Sequence, residues 1–339
     1  MEKKEKPCPP IHFACRKELS SLHFERLWSP PKLWTPTSFI ECCRFTADSK
    51  SLLFGDSSGV LRCYQLETKE VSEFSVGAEI IWALDVSSDG EYICCCGNDR
   101  LVNVWSRSSA KCLASHSRHN DSVWSVKFTV DTNYVISCSS DLKIIIWGFR
   151  TSPEACLVLD GHAKPISHID VSSDGKMFAS CSYDQTVRIW IDLNDISRKN
   201  IKCCTVLKGH KKRVNCCSFS PHRNDILASG SADCDIILWS ILDERVLFRF
   251  RGHCNIVWSC AFLRLKNELL VLSCSSDHSL RFWDTFTGYE LATRKGFCFQ
   301  DDTPAQLLCC QVSRDGETIA ITTTDGCVYI GSFKQKTKL

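Results

Sequence analysis

The sequence predicts an all-β fold, a single closed ring of seven four-stranded propeller blades, from three observations. First, a phrase of the form V-x-x-C/V-x-F recurs and brings Phe45, Val86, Phe128, Val171, Phe219, Phe262 and Val312 into register. Second, each unit then repeats a polar turn such as SSDG or SPHRND, a strand such as ILASGS, and an Asp-led turn into a strand such as IILW. Third, the units return about every 40 residues, the period of four short strands with their turns. They run over 36–76, 77–117, 118–160, 161–208, 209–251, 252–299 and 300–333.

Composition agrees with a repeat. A chain of 339 residues, 44% hydrophobic, is longer than one ordinary core sustains. Forty-one Lys and Arg against 39 Asp and Glu leave a formal charge of +2, too little to draw the chain to nucleic acid or an anionic membrane. The start, MEKKEKPCPP, has no apolar run behind it, and no apolar stretch approaches the roughly 18 to 20 residues that span a bilayer. A soluble protein of cytoplasm or nucleus is expected. The 24 cysteines fall within β-like runs, in a chain too long to need disulfide staples, and are expected as reduced thiols. The sequon Asn120-Asp121-Ser122 is accordingly expected to stay unmodified.

Four units carry one set of polar residues. His119, His162, His210 and His253 precede the first strand, and Trp147, Trp190, Trp239 and Trp283 close the third, 28, 28, 29 and 30 residues later. Asp141, Asp184, Asp233 and Asp277 each stand six residues before the Trp, at the ends of SCSSD, SCSYD, SGSAD and SCSSD. An imidazole bridges a carboxylate and a hydroxyl, and a buried indole N–H needs one acceptor. The four residue types can therefore satisfy one another inside a blade, as scaffold rather than as catalyst.

At these residues the chain resembles the WD-repeat β-propeller family, whose GH and WD dipeptides are present as Gly161-His162, Gly209-His210, Gly252-His253 and Trp283-Asp284. The resemblance covers roughly residues 36 to 333 and implies a structural tetrad of His, Ser or Thr, Asp and Trp in each complete blade. Unit one departs from it with Pro36, Ser58 and Tyr64 in place of His, Asp and Trp. Unit two has Gly77 for His, and unit seven has Thr303 and Gly331 for His and Trp. Unit seven also stops after its third strand, CVYIGSF. Residues 18–35, with SLHFERLW, are expected to supply the missing fourth strand and hide the open edge, a closure common in the family. Residues 1–17 are expected as a polar, disordered tail and 334–339 as a basic one.

No catalytic, metal or cofactor site is legible. Cys42-Cys43, Cys94 to Cys96, Cys216-Cys217 and Cys309-Cys310 are adjacent on strands, so their side chains alternate between faces and cannot converge on one ion. Paired C-x-x-C spacings are absent, and buried core thiols are expected. Gly55-Asp56-Ser57-Ser58-Gly59 superficially matches a serine-protease motif but falls at a strand turn. Glu41, Asp85, His168 and Asp170 are too scattered to form a reactive pair, and no phosphate-cradling Gly-rich loop is present. The chain is expected not to be an enzyme.

What remains is surface. Four residues before each register position stand Glu41, Trp82, Trp124, Ser167, Asn215, Trp258 and Leu308, where the innermost strand of a blade begins beside the channel. Trp82, Trp124 and Trp258 either anchor a partner's peptide or plug the channel and pack between blades. Lys208, Lys211, Lys212 and Arg213 surround His210; this loop either reads a phosphorylated peptide, as in some members of the family, or is solvated. The expected function is a protein–protein interaction scaffold that docks partners on the loop face as part of a multiprotein complex. The alternative is the substrate-recognition subunit of a ubiquitin ligase or signalling complex reading a (phospho)peptide, although no F-box, SOCS-box or U-box segment and no Trp-Asp-x-Arg motif is legible. Neither nucleic acid nor membrane is an expected partner.

Overall fold

Short strands that alternate their side chains, broken by turns bearing Asp, Ser and Gly, pair locally into antiparallel sheets. The computed structural model, which describes residues 10–29, 39–77, 79–151, 156–193, 196, 200–297 and 303–333, holds seven sheets of four strands. Six are consecutive meanders over 40–75, 81–116, 123–159, 166–208, 214–250 and 257–294. The seventh joins three strands within 307–332 to Phe24–Trp28. Each innermost strand packs against those of its two neighbours, the first blade against the seventh included, so the blades close a ring. Among the described residues no helix is long and apolar enough to cross a membrane.

Apolar side chains gather in seven clusters, one at each seam between blades. Period-two alternation decides which seam a residue enters. Cys42 enters the seam of blades one and two while Cys43 enters that of blades seven and one, and Cys216 and Cys217 divide in the same way. The vicinal thiols at 42–43, 94–96, 216–217 and 309–310 are buried apart from Cys309, which is half-buried, whereas Cys203 is half-buried and Cys204 exposed.

The closing strand Phe24–Trp28 runs antiparallel to Val328–Ser332, with Phe24 opposite Gly331. A Cβ at Gly331 would stand 2.7 Å from the Phe24 ring. The phenyl group thus fills space next to the position where complete units carry Trp, and it meets Phe297 edge to face at 5.4 Å. Ahead of this strand the expected tail is partly replaced: Pro10–Ser21 is an α-helix. Proline is suited to a first helical position, and Cys15, Leu19 and Leu22, spaced along one face, are buried with Leu265, Phe282 and Phe297 between blades six and seven. Glu18 pairs with Lys266 at 2.6 Å, and Arg294 donates to the Leu19 carbonyl. Residues 1–9, Pro36 and 334–339 lie outside the described residues.

The repeated polar residues meet inside four blades. His119 Nδ1 lies 2.9 Å from Asp141, its Nε2 lies 2.8 Å from Ser137, and Trp147 Nε1 donates to the same Ser137 oxygen at 2.7 Å. Equivalent contacts join His162, Asp184, Ser180 and Trp190, then His210, Asp233, Ser229 and Trp239. His253, Asp277, Ser273 and Trp283 complete the series. An ionised carboxylate only accepts, so Nδ1 carries the proton, Nε2 accepts from the serine hydroxyl, and the serine oxygen accepts from the indole. Burial opposes ionisation of Asp184, Asp233 and Asp277, yet the histidine hydrogen bonds and other donors outweigh it and hold all three well below the usual carboxylate range.

Blade two shows what a missing histidine leaves. Gly77, Cys95, Asp99 and Asn103 line a small cavity, and Asp99 accepts the Leu101 N–H at 3.0 Å. Cys95 occupies the ladder position that Ser137 holds in blade three. The double variant Gly77→His/Cys95→Ser is therefore expected to raise the unfolding free energy by about 1 kcal/mol. Urea titration checks this, and a lowered midpoint would contradict it. In blade one an ion pair stands in place of the tetrad. Asp56 accepts the N–H groups of Ser58 and Val60 at 2.8 and 3.0 Å and pairs with buried Arg62. Arg62 also binds Glu73 at 2.7 Å and lies 5.3 Å from the ring of Trp28 in the closing strand.

Candidate docking site at the channel mouth

Every innermost hairpin loses register at one point. The slips fall between Ile40 and Cys42, Ile81 and Ala83, Val123 and Ser125, and Ile166 and His168. They recur between Val214 and Cys216, Val257 and Ser259, and Leu307 and Cys309. The residue skipped is in turn Glu41, Trp82, Trp124, Ser167, Asn215, Trp258 and Leu308. A bulge re-aims the side chain of its unpaired residue, and all seven line one cavity of about 350 Å3 at the mouth of the channel.

The three tryptophans divide into two groups. Trp82 and Trp124 pack against each other, tilted by 33° with ring centroids 4.7 Å apart, and Phe39 lies 6.5 Å from Trp82. Trp258 stands apart, with the Arg213 guanidinium 5.5 Å from its ring and 4.9 Å from that of Tyr183. The indole N–H groups are used internally, Trp82 donating to Asn98 at 3.2 Å, Trp124 to Ser140 at 2.5 Å and Trp258 to Ser276 at 2.7 Å. Asn98 accepts from Ser122 of blade three, and Ser276 donates to Gln306 of blade seven. The rings are thereby fixed, half-buried, in the wall of the cavity.

Sequence reasoning missed Asn98, Ser140, Tyr183 and Ser276. Each immediately precedes the Asp of the turn between second and third strands, so a second column of the repeat carried the signal. The basic loop divides as well. Lys208, Lys211 and Lys212 are exposed; the Lys211 N–H donates to Asp233 at 2.7 Å, and the Lys212 carbonyl accepts from Ser231 at 3.2 Å. Only Arg213 of the four reaches the cavity wall.

Beneath the mouth the charges are paired. Asp85 binds Arg44 at 2.9 Å, Asp170 binds Lys127 at 3.3 Å, and the two carboxylates accept the N–H groups of Phe128 and Phe219. His168 is pushed down to about 4 by burial and by Lys127, and accepts the Cys217 N–H at 3.4 Å. The hydrogen bond from Cys43, its sulfur 4.0 Å away, holds the Cys309 thiol down to about 6 against the effect of burial. Glu41 differs from all of these. Burial, with a contribution from Cys309, pushes its carboxyl up to about 7.

A carboxyl raised in the folded state contributes stability that is full below its unfolded value and is lost as pH rises through the folded value. Glu41→Gln is therefore expected to match the parent near pH 5 and, with allowance for partial solvent contact, to exceed it by about 1–2 kcal/mol at pH 8. Urea unfolding at the two pH values measures the difference. Equal curves at pH 8 would contradict the burial of an unpaired charge.

Matches to the family model described as WD domain, G-beta repeat cover 69–106, 110–148, 154–190, 201–240 and 244–284, more than half of the chain. The chain belongs to the WD-repeat family. Each matched WD repeat starts at the outer strand of one blade and ends on the third strand of the next, which interlocks the blades. Phe24–Trp28 stands in the same relation to blades seven and one. Telomerase protein component 1 of Mus musculus is 30% identical over 145 residues, 41% of this chain and 5% of that protein. Transducin beta-like protein 3 of Bos taurus is 33% identical over 105 residues, 31% of this chain and 13% of that protein. Nuclear distribution protein nudF of Aspergillus flavus is 33% identical over 134 residues, 39% of this chain and 28% of that protein. The chain spans less than a third of the length of each of these relatives.

Proposed function

We propose that this WD-repeat propeller is a non-catalytic scaffold of cytoplasm or nucleus that docks a segment of a partner protein at the channel mouth. One observation carries the reading: seven bulges turn their side chains into a single cavity whose wall includes the half-buried rings of Trp82, Trp124 and Trp258. Tryptophan is enriched among binding hot spots because it offers a large rigid face at small entropic cost. Here the indole N–H groups are already satisfied, so a partner can cover the rings without stranding a donor.

Affinity purification with quantitative mass spectrometry, comparing parent with the triple variant Trp82→Ala/Trp124→Ala/Trp258→Ala, tests this. With folding of both proteins checked by melting, a subset of partners is expected to fall about tenfold or more, the scale of losing a hot-spot residue. An unchanged partner set on a folded variant would overturn the proposal. A second reading, recognition of a phosphorylated segment by a ligase or signalling subunit, is favoured by Arg213 on the cavity wall beside exposed Lys211 and Lys212. It requires Lys211→Glu, Lys212→Glu and Arg213→Glu together to abolish binding of phosphorylated partners.

A further inference from the structure

The mouth is unevenly furnished with charge, and this bears on the chemistry of what enters it. Arg44 and Lys127 in its floor are neutralised by Asp85 and Asp170. Arg213 lies on the side of blades four to six, over Tyr183 and Trp258. Glu41, on blade one, is the exception. Among the described residues it has neither an ion-pair partner nor a hydrogen bond, although burial makes its ionised form costly. Its neighbour around the ring is Trp82, packed against Trp124.

Asn215 gives a second, independent sign. It is 7% exposed, its Nδ2 donates to the Val257 carbonyl at 2.9 Å, and its Oδ1 is buried without a donor while the residue lines the cavity. Buried acceptors are normally satisfied. The cavity lining thus holds one unpaired carboxyl and a pair of tilted indoles on blades one to three, with one orphan carbonyl oxygen buried on blade five. The carboxyl and the indole faces are complemented by a cation rich in N–H donors, since a carboxylate takes an ion pair and an aromatic face attracts a cation electrostatically.

From this juxtaposition we infer that the mouth receives a basic side chain, arginine or lysine, from the docked segment, its charged head placed against Glu41 and the Trp82–Trp124 faces. The inference rests on the mouth being the docking site and deepens that reading by naming the residue class. An incoming cation also favours the ionised form of Glu41 and supplies the ion-pair partner that the described residues do not.

A positional library of immobilised 12-residue peptides, each position fixed in turn as Arg, Lys, Gln, Leu, Asp or phosphoserine, tests this on the full chain. Retained peptides are expected to bind about tenfold better with Arg or Lys than with Gln at one position, the scale of a charge-assisted contact. Glu41→Gln should reduce that preference to within about twofold while leaving the fold intact, because it removes a charge and keeps the shape. Trp82→Ala should weaken all of these peptides together. Binders that depend on Trp82 and prefer Asp or phosphoserine would overturn the cation and leave the docking site standing. No retained peptide, or binding indifferent to Trp82→Ala, Trp124→Ala and Glu41→Gln, would overturn both.

Discussion

A chain lacking residues 1–29 is expected to aggregate, or to melt about 10 °C or more below the full protein. The loss follows from what Phe24–Trp28 covers. It forms the outer edge of blade seven, fills the space beside Gly331 with Phe24, and sets Trp28 over Arg62 of blade one. Removal also takes Cys15, Leu19 and Leu22 out of the core between blades six and seven. An unpaired strand edge beside exposed apolar surface then invites pairing with another chain. Size-exclusion chromatography and a thermal melt read the outcome. A monomer with an unchanged midpoint would show that the ring closes without this strand.

Asp233→Ala is expected to cost about 3 kcal/mol, because it leaves the buried His210 imidazole and two backbone N–H groups without their acceptor at once. His210 and the N–H groups of Lys211 and Asp235 all donate to that carboxylate. Asp99→Ala in blade two, where Gly77 stands in place of the histidine and one Leu101 N–H is capped, is expected to cost about 1 kcal/mol or less. The two midpoints in urea make the comparison. Equal losses would contradict the assignment of the four tetrads as the polar scaffold of their blades.

Much of this was legible in the chain because blade architecture is local. Hairpins pair residues close in sequence, so a period of strands and turns reports the sheets directly, and the fixed spacing from His to Asp to Trp reports the tetrads. The closing strand was legible from a deficit, since CVYIGSF left blade seven one strand short. The helix Pro10–Ser21 was not legible, because its charged surroundings resemble a tail. Only the spacing of Cys15, Leu19 and Leu22 marked a buried face, and its burial depends on blades brought near by ring closure. The column of mouth residues could be read, but its internal grouping could not. That Trp82 meets Trp124 while Trp258 meets Arg213 and Tyr183 depends on the order of blades around the ring and on the residue before each turn Asp. Likewise Ser58 in blade one suggested only an absence, whereas Asp56 and Arg62 supply an ion pair there.

The central claim, docking at the channel mouth, is tested most directly by site-specific photo-crosslinking in cells. A photoreactive amino acid is placed at Leu308 on the cavity wall, or at Leu242, which is 80% exposed in a turn at the far end of the blade-five strands. Discrete partner adducts are expected from position 308, lost on Trp82→Ala/Trp124→Ala, with none from position 242. Adducts from position 242 alone, or adducts from 308 indifferent to the tryptophans, would contradict the account.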